Sequence, residues 1–175
     1  MTKSSDKQII EDEKKVIQHL IKNSTESADR IAKKCGFSRQ KVWRIIKRLE
    51  KENTIWGYTA IIDQEKQGYK NYYVLIKKTT LPLNEELVNN ISKRKIEGIF
   101  SESETFVESS LFVHGHYDWI ISINTKDIKE AKKFCELLND MYKGYIAEID
   151  LLETLVPVRK QGILNPDSNM LKGFL

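Results

Sequence analysis

The chain has 175 residues, 40% hydrophobic and 31% charged, with a net charge of +4. That length suits one large domain or two small ones. No signal peptide and no apolar run long enough to span a bilayer are visible, so a soluble cytoplasmic protein without membrane segments is expected. Cys35 and Cys135 sit alone inside helical patterns, which argues against a disulfide scaffold or zinc site and for small buried apolar side chains.

The charge is uneven. Residues 1–62 carry 14 basic and 8 acidic side chains, and residues 63–175 carry 15 and 17. A basic nucleic-acid module followed by a near-neutral module is predicted. The first nine residues are polar and expected to fray. Asp12 looks like the N-cap of a first helix whose stripe is Val16, Ile17, Leu20 and Ile21. Asn23–Glu26 is a loop. A second helix follows Ser27, with Ile31 and Ala32 inward, and Gly36 suits the left-handed residue that ends it. Phe37 packs the turn, and Ser38 suits the N-cap of a third helix.

On that third helix Val42, Ile46 and Leu49 recur at four- and three-residue spacing and form the predicted buried stripe. Ile45 falls at the edge of the apolar arc. Gln40, Arg44, Lys47 and Lys51 fall opposite, with Trp43 flanking them. From Asp29 to Lys51 there are nine Lys or Arg against two acids. Like charges so spaced destabilise a bare helix, and a polyanion gives them a reason. A short helix, a Gly turn and a basic second helix predict a helix-turn-helix on double-stranded DNA. The alternative is a plain solvated face.

The predicted DNA-facing set is Ser38, Arg39, Gln40, Lys41, Trp43, Arg44, Lys47, Arg48 and Lys51. Arg39 and Gln40, near the helix start, suit guanine and adenine edges. Arg44, Lys47, Arg48 and Lys51 suit phosphates. Trp43 either lies on sugars or a thymine methyl, or packs against a neighbouring segment.

Thr54–Asp63 is rich in β-branched and aromatic residues and predicts a strand serving as wing or spacer. Gln64–Lys70 is a joint. Strands are predicted over Tyr72–Thr79, Thr105–His114, Asp118–Thr125 and Ile146–Val156. Helices are predicted over Asn84–Lys95, with Leu87, Val88 and Ile91 inward, and over Asp127–Tyr142, with Ala131, Phe134, Cys135 and Leu138 inward. Gly115-His-Tyr117 is a tight turn. The order βαββαβ is that of a ferredoxin-like sandwich. The fold class is therefore α+β, with a winged helix-turn-helix over 1–62, a joint over 63–71, a ferredoxin-like domain over 72–158 and a tail over 159–175. Tyr72–Ile76, Trp119–Ile121 and Leu151-Leu152 break the alternation of a solvated face, so that face is expected to meet a second subunit. A homodimer would present two recognition helices about 34 Å apart. The tail, with Ile163, Leu164, Met170, Leu171, Phe174 and Leu175, is too apolar for a purely disordered segment and is expected to dock on a neighbour.

From Asp12 to Pro157 the chain resembles the Lrp/AsnC (leucine-responsive, feast/famine) regulators. The resemblance rests on Ser27-x-x-Arg-Ile-Ala32, Gly36-Phe-Ser38, Val42-x-x-x-Ile46-x-x-Leu-Glu50, Ile55-x-Gly-Tyr58 and Gly115-x-Tyr-Asp118. It implies a transcriptional regulator binding DNA as dimers, often assembled into tetramers or octamers. It also implies a C-terminal effector domain taking an amino acid or related small molecule at Gly115, His116, Tyr117 and Asp118. The chain departs from the family at Arg30, where a capping-box Glu is usual, at Ile45, where Arg is common, and at Asn53, where Gly is common.

His114 and His116 lack further ligands at fitting spacing, so no metal is expected. No nucleophile elbow, phosphate-cradling loop or cofactor motif is visible, and no cofactor or enzymatic activity is expected. Two alternatives remain: an enzyme derived from this family and resembling tetrapyrrole decarboxylases, and a small-molecule sensor that no longer binds DNA. The basic helix face argues against both.

Overall fold

The computed structural model of the chain describes residues 6–93, 105–167 and 169–173. The chain divides into two compact units, Met1–Ile61 with Val158–Leu175, and Ile62–Pro157.

In the first unit α1 spans Asp6–Lys22, α2 Ala28–Cys35 and α3 Arg39–Lys51. Ser27 caps α2 by accepting from Arg30 N, and Ser38 caps α3 by accepting from Lys41 N, each satisfying an N–H that the helix leaves unpaired. Gly36 ends α2 at φ 69, and Asn53 lies just beyond α3 at φ 55, a conformation Asn tolerates. The three helices close on Val16, Leu20, Ile31, Val42, Ile45 and Leu49.

Three expectations fail here. Asp12 is not an N-cap: α1 begins a turn and a half earlier, and Asp12 is buried, 4% exposed, in its middle. Ile45, not Ile46, completes the buried stripe of α3; Ile46 is half-buried beside it. The helix rolls so that positions 42, 45 and 49 point inward together. No strand forms over 54–63. The N–H groups of Thr54 and Ile55 both donate to Leu49 O, at 2.9 and 3.1 Å, so the segment turns back on α3. β-branched composition favours extended backbone but cannot supply the neighbouring edge a ladder requires.

The tail folds as a hairpin of β5 (Arg159–Lys160) and β6 (Ile163–Leu164), grouped with the first unit. Gln161 and Gly162 turn it with φ of 44 and 86, the paired positive values of a tight hairpin turn. Phe174 and Leu175 lie outside the described residues.

The second unit is a four-stranded antiparallel sheet in the order β2-β3-β1-β4, from β1 (Lys70–Lys78), β2 (Phe106–Phe112), β3 (Trp119–Thr125) and β4 (Ile146–Glu153). The helices are α4 (Glu85–Ser92) and α5 (Ile128–Met141), capped by Asn84 and Asp127. This is the predicted ferredoxin-like order. The end of the predicted helix Asn84–Lys95 falls outside the described residues. Tyr72, Val74, Ile76, Trp119, Ile121 and Ile123 meet Phe134 and Leu138 of α5 in one core. Val88 is 46% exposed rather than inward; among the described residues of α4, Leu87 is buried and Ile91 packs half-buried against the core.

The opposite sheet face has a polar centre. Asn71 Nδ2 donates to Ser122 Oγ at 3.0 Å and Asn124 Oδ1 at 3.1 Å, and all three residues are buried. Around them Tyr73, Phe106, Leu111 and Leu152 lie 41–55% exposed.

Candidate nucleic-acid interface

α3 gives the first unit a chemically mixed outer face. Arg39, Gln40, Trp43, Arg44, Lys47 and Lys51 are exposed along it, and Ser38 is exposed at its start. Arg39 lies 3.7 Å from Asp29, and Lys47 donates to Glu50 at 2.7 Å. The Lys47 hydrogen bond holds the Glu50 carboxyl below its usual range. Tyr58 also donates to Glu50, at 3.1 Å, which ties the segment after α3 to the helix. Arg44 and Lys51 make no ion pair among the described residues.

Two predicted DNA-facing cations turn the other way. Lys41 Nζ lies 2.5 Å from Asp12 Oδ2 and 4.0 Å from the centre of the Phe37 ring. Arg48 reaches Glu13 of α1 at 2.6 Å. Burial alone would raise the Asp12 carboxyl, but hydrogen bonds from Lys41 and Gln8 outweigh it and hold it below its usual value. Sequence reasoning missed this pair of bridges. The available signal was the adjacent acids Asp12 and Glu13 beside a helix with surplus cations.

Trp43 is 56% exposed. The indole is not packed away under a neighbouring segment, so an apolar plate stands among the cations of the outer face.

The hairpin of the second unit joins β2 to β3. Val113 N donates to Asp118 O at 2.9 Å, and the turn holds His114, Gly115, His116 and Tyr117. Gly115 does not use the left-handed region, so its predicted role in supplying the turn is not a conformational one. Tyr117 donates to Asp150 at 2.6 Å, and Asp118 Oδ2 accepts from Lys78 N at 2.9 Å. Asp118 is thus bound to β1 rather than capping its own turn. His116 packs edge-on against Tyr117. No group of three or more His, Cys, Asp or Glu converges to hold a metal among the described residues. Burial pushes the Cys135 thiol up to about 11 and raises that of Cys35, so both stay protonated. No helix among the described residues is long and apolar enough to cross a membrane.

These features define a winged helix-turn-helix DNA-binding regulator carrying a ferredoxin-like second domain. The winged helix-turn-helix DNA-binding family profile matches residues 13–55. The HTH-type transcriptional regulator FL11 of Pyrococcus horikoshii is 26% identical over 129 residues, 74% of this chain and 79% of that protein. The crystal structure of PH0061 superposes with a TM-score of 0.66 at 25% identity, covering 94% of this chain and all of that one. An AsnC family transcriptional regulator from Agrobacterium tumefaciens shares the fold, with a TM-score of 0.63 at 23% identity over 89% of this chain and 96% of that one. The chain thus shares its fold with an AsnC family regulator and is similar in sequence to HTH-type transcriptional regulators.

Proposed function

We propose that this regulator reads DNA through Ser38, Arg39, Gln40, Trp43, Arg44, Lys47 and Lys51, while Lys41 and Arg48 brace α3 against α1. The observation that carries this division is the pairing of Lys41 with the buried Asp12. A cation bound to a buried carboxylate cannot turn to a phosphate without leaving that charge unpaired. Arg39 and Gln40 sit in the first turn, where side chains reach base edges. Arg44, Lys47 and Lys51 lie further along and suit phosphates.

The regulator acts as a homodimer through the open sheet face of the second unit. The exposed apolar side chains Tyr73, Phe106, Leu111 and Leu152 support this. The hairpin at Gly115–Asp118 takes an amino acid or related small molecule, a reading supported by the resemblance to Lrp/AsnC regulators and by the carboxylate of Asp118. A gel-shift series on random genomic fragments at low and high salt tests the DNA reading: binding at low salt that weakens steeply with salt is expected. Calorimetric titration with the common amino acids, repeated with Asp118→Ala, tests the effector reading. Heat unchanged by that substitution refutes the assignment to Asp118.

A further inference from the structure

The second unit holds a cavity of about 210 Å³ on the helix-covered side of the sheet, away from the open face. Its walls include Ile76, Leu83, Ile91, Phe112, Trp119 and Tyr142. Three of these form an aromatic ladder. Phe112 stacks on Trp119 with ring centres 5.1 Å apart, and Trp119 meets Tyr142 edge-on at 5.5 Å. The indole N–H is already used, donating to Ser110 at 2.9 Å. The Tyr142 hydroxyl is not: the residue is 4% exposed, and its oxygen has no hydrogen-bond partner among the described residues. A buried hydroxyl left unpaired costs stability, so something that supplies an acceptor gains a full hydrogen bond. Burial pushes that phenol up to about 12, so it stays protonated and remains a donor.

The charged wall residues decide the class of ligand. Lys78 Nζ lies 3.9 Å from Asp118 Oδ1, and the same carboxylate takes the Lys78 N–H at 2.9 Å. The two charges answer each other, so the described walls offer no net charge to an ionic head group. They offer a flat aromatic surface and, in Tyr142, a buried hydroxyl donor without a partner among the described residues. We propose that this cavity binds a compact uncharged aromatic molecule carrying one oxygen acceptor, stacked along Phe112 and Trp119 and accepting from Tyr142. The site lies within one protomer, so it does not depend on the dimer. It shares Asp118 with the proposed hairpin site, but its aromatic walls come from β2, β3 and the end of α5.

Acetophenone and ethylbenzene are matched probes, alike in shape, with only the first carrying an acceptor. In proton–nitrogen correlation spectra of the full chain, acetophenone should shift the Trp119 indole and Tyr142 amide signals, with a Kd of about 1 mM or tighter for so small a ligand. Ethylbenzene should bind about tenfold more weakly. Tyr142→Phe should weaken acetophenone about tenfold and leave ethylbenzene within about twofold. Leu83→Trp, changed at a wall position 41% exposed, should fill the opening and abolish binding of both without disturbing the buried core. Unshifted Trp119 signals with both probes, equal affinity for the two, or shifts confined to the amides of residues 114–118 would overturn the proposal.

Discussion

Lys41→Ala and Arg44→Ala remove the same charge from adjacent turns of α3, and the structure gives them opposite effects. Arg44 is exposed and makes no ion pair among the described residues, so its charge is available to a phosphate. One phosphate contact on duplex DNA adds about 0.9 to the slope of log affinity against log salt, a factor of roughly 3.5 between 50 and 200 mM. At 0.1 M salt its loss weakens binding by roughly eightfold. Lys41 is already neutralised by Asp12 at 2.5 Å, so the slope should stay within about 0.2 of wild type. Its loss instead strands a carboxylate that is 4% exposed. Breaking a buried pair costs about 3–5 kcal/mol; Lys41 keeps a side-chain exposure of 39%, which brings the expectation to about 2 kcal/mol. In a unit of this size that lowers the melting temperature by roughly 8–16 °C. Fluorescence anisotropy with a labelled duplex across a salt series reads the first quantity, and a thermal melt reads the second. Equal slopes for the two variants, or an unchanged melt for Lys41→Ala, would refute the division of α3 into bracing and binding cations.

The Asp12–Lys41 pair also sets a pH dependence. The folded Asp12 carboxyl is held below its ordinary 3.8, so its contribution is complete above that value and disappears as pH falls through the folded one. Wild type should therefore exceed Asp12→Asn in denaturation midpoint at pH 7, with the gap closing below about pH 4; a constant gap counts against the ion pair as its source. Trp43 predicts a response to the thymine methyl. Replacing thymine by deoxyuridine across a selected duplex should weaken wild type about threefold to fivefold, at roughly 0.8 kcal/mol per buried methyl. Trp43→Ala should be indifferent to the replacement, and an undiminished penalty would place the indole away from the bases. Leu152→Glu, at a position 51% exposed on the open sheet face, should yield monomers in sedimentation equilibrium with the helical content intact; an unchanged mass would put the subunit contact elsewhere.

The parts of this fold that were legible in the sequence are those decided locally. Ser27, Ser38, Asn84 and Asp127 each cap the helix that follows, because a short polar side chain and an unpaired N–H lie two or three residues apart. Gly36 and Asn53 take positive φ for an equally local reason. The errors arose where a distant partner decides. Asp12 before an apolar stripe looks the same whether it caps a helix or pairs with Lys41, which lies on another helix. Thr54–Asp63 has the composition of a strand but no neighbouring edge. Ile45 and Ile46 are both apolar, and only the docking of α3 on α1 and α2 selects Ile45. In the second unit Tyr72–Ile76 of β1 and Trp119–Ile121 of β3 are apolar on both faces, so their sequence located the strands without telling which face meets the helices; the structure puts Tyr72, Val74, Ile76, Trp119, Ile121 and Ile123 there. The buried amide of Asn71, bonded to Ser122 and Asn124, was invisible because polar residues on two distant stretches of chain look like ordinary surface.

The charge on α3 is consequently less uniform than its composition suggests. Its cations differ in what they must give up to reach a phosphate. Arg39 and Lys47 face Asp29 and Glu50 in exposed bridges, which are worth about 0–1 kcal/mol and exchange readily for a stronger anion. Arg44 and Lys51 give up only water. Lys41 would have to abandon a buried carboxylate, and Arg48 would leave a Glu13 side chain that is 17% exposed. The two costly exchanges both involve α1, so the bridges that withhold charge from DNA are the ones that fix the roll of α3. Ile45 lies in the core between them, 5% exposed. An arginine there would have to leave the core and turn α3 with it. In the proposed interface, a smaller set of available cations is thus the consequence of orienting Arg39, Gln40 and Trp43 outward.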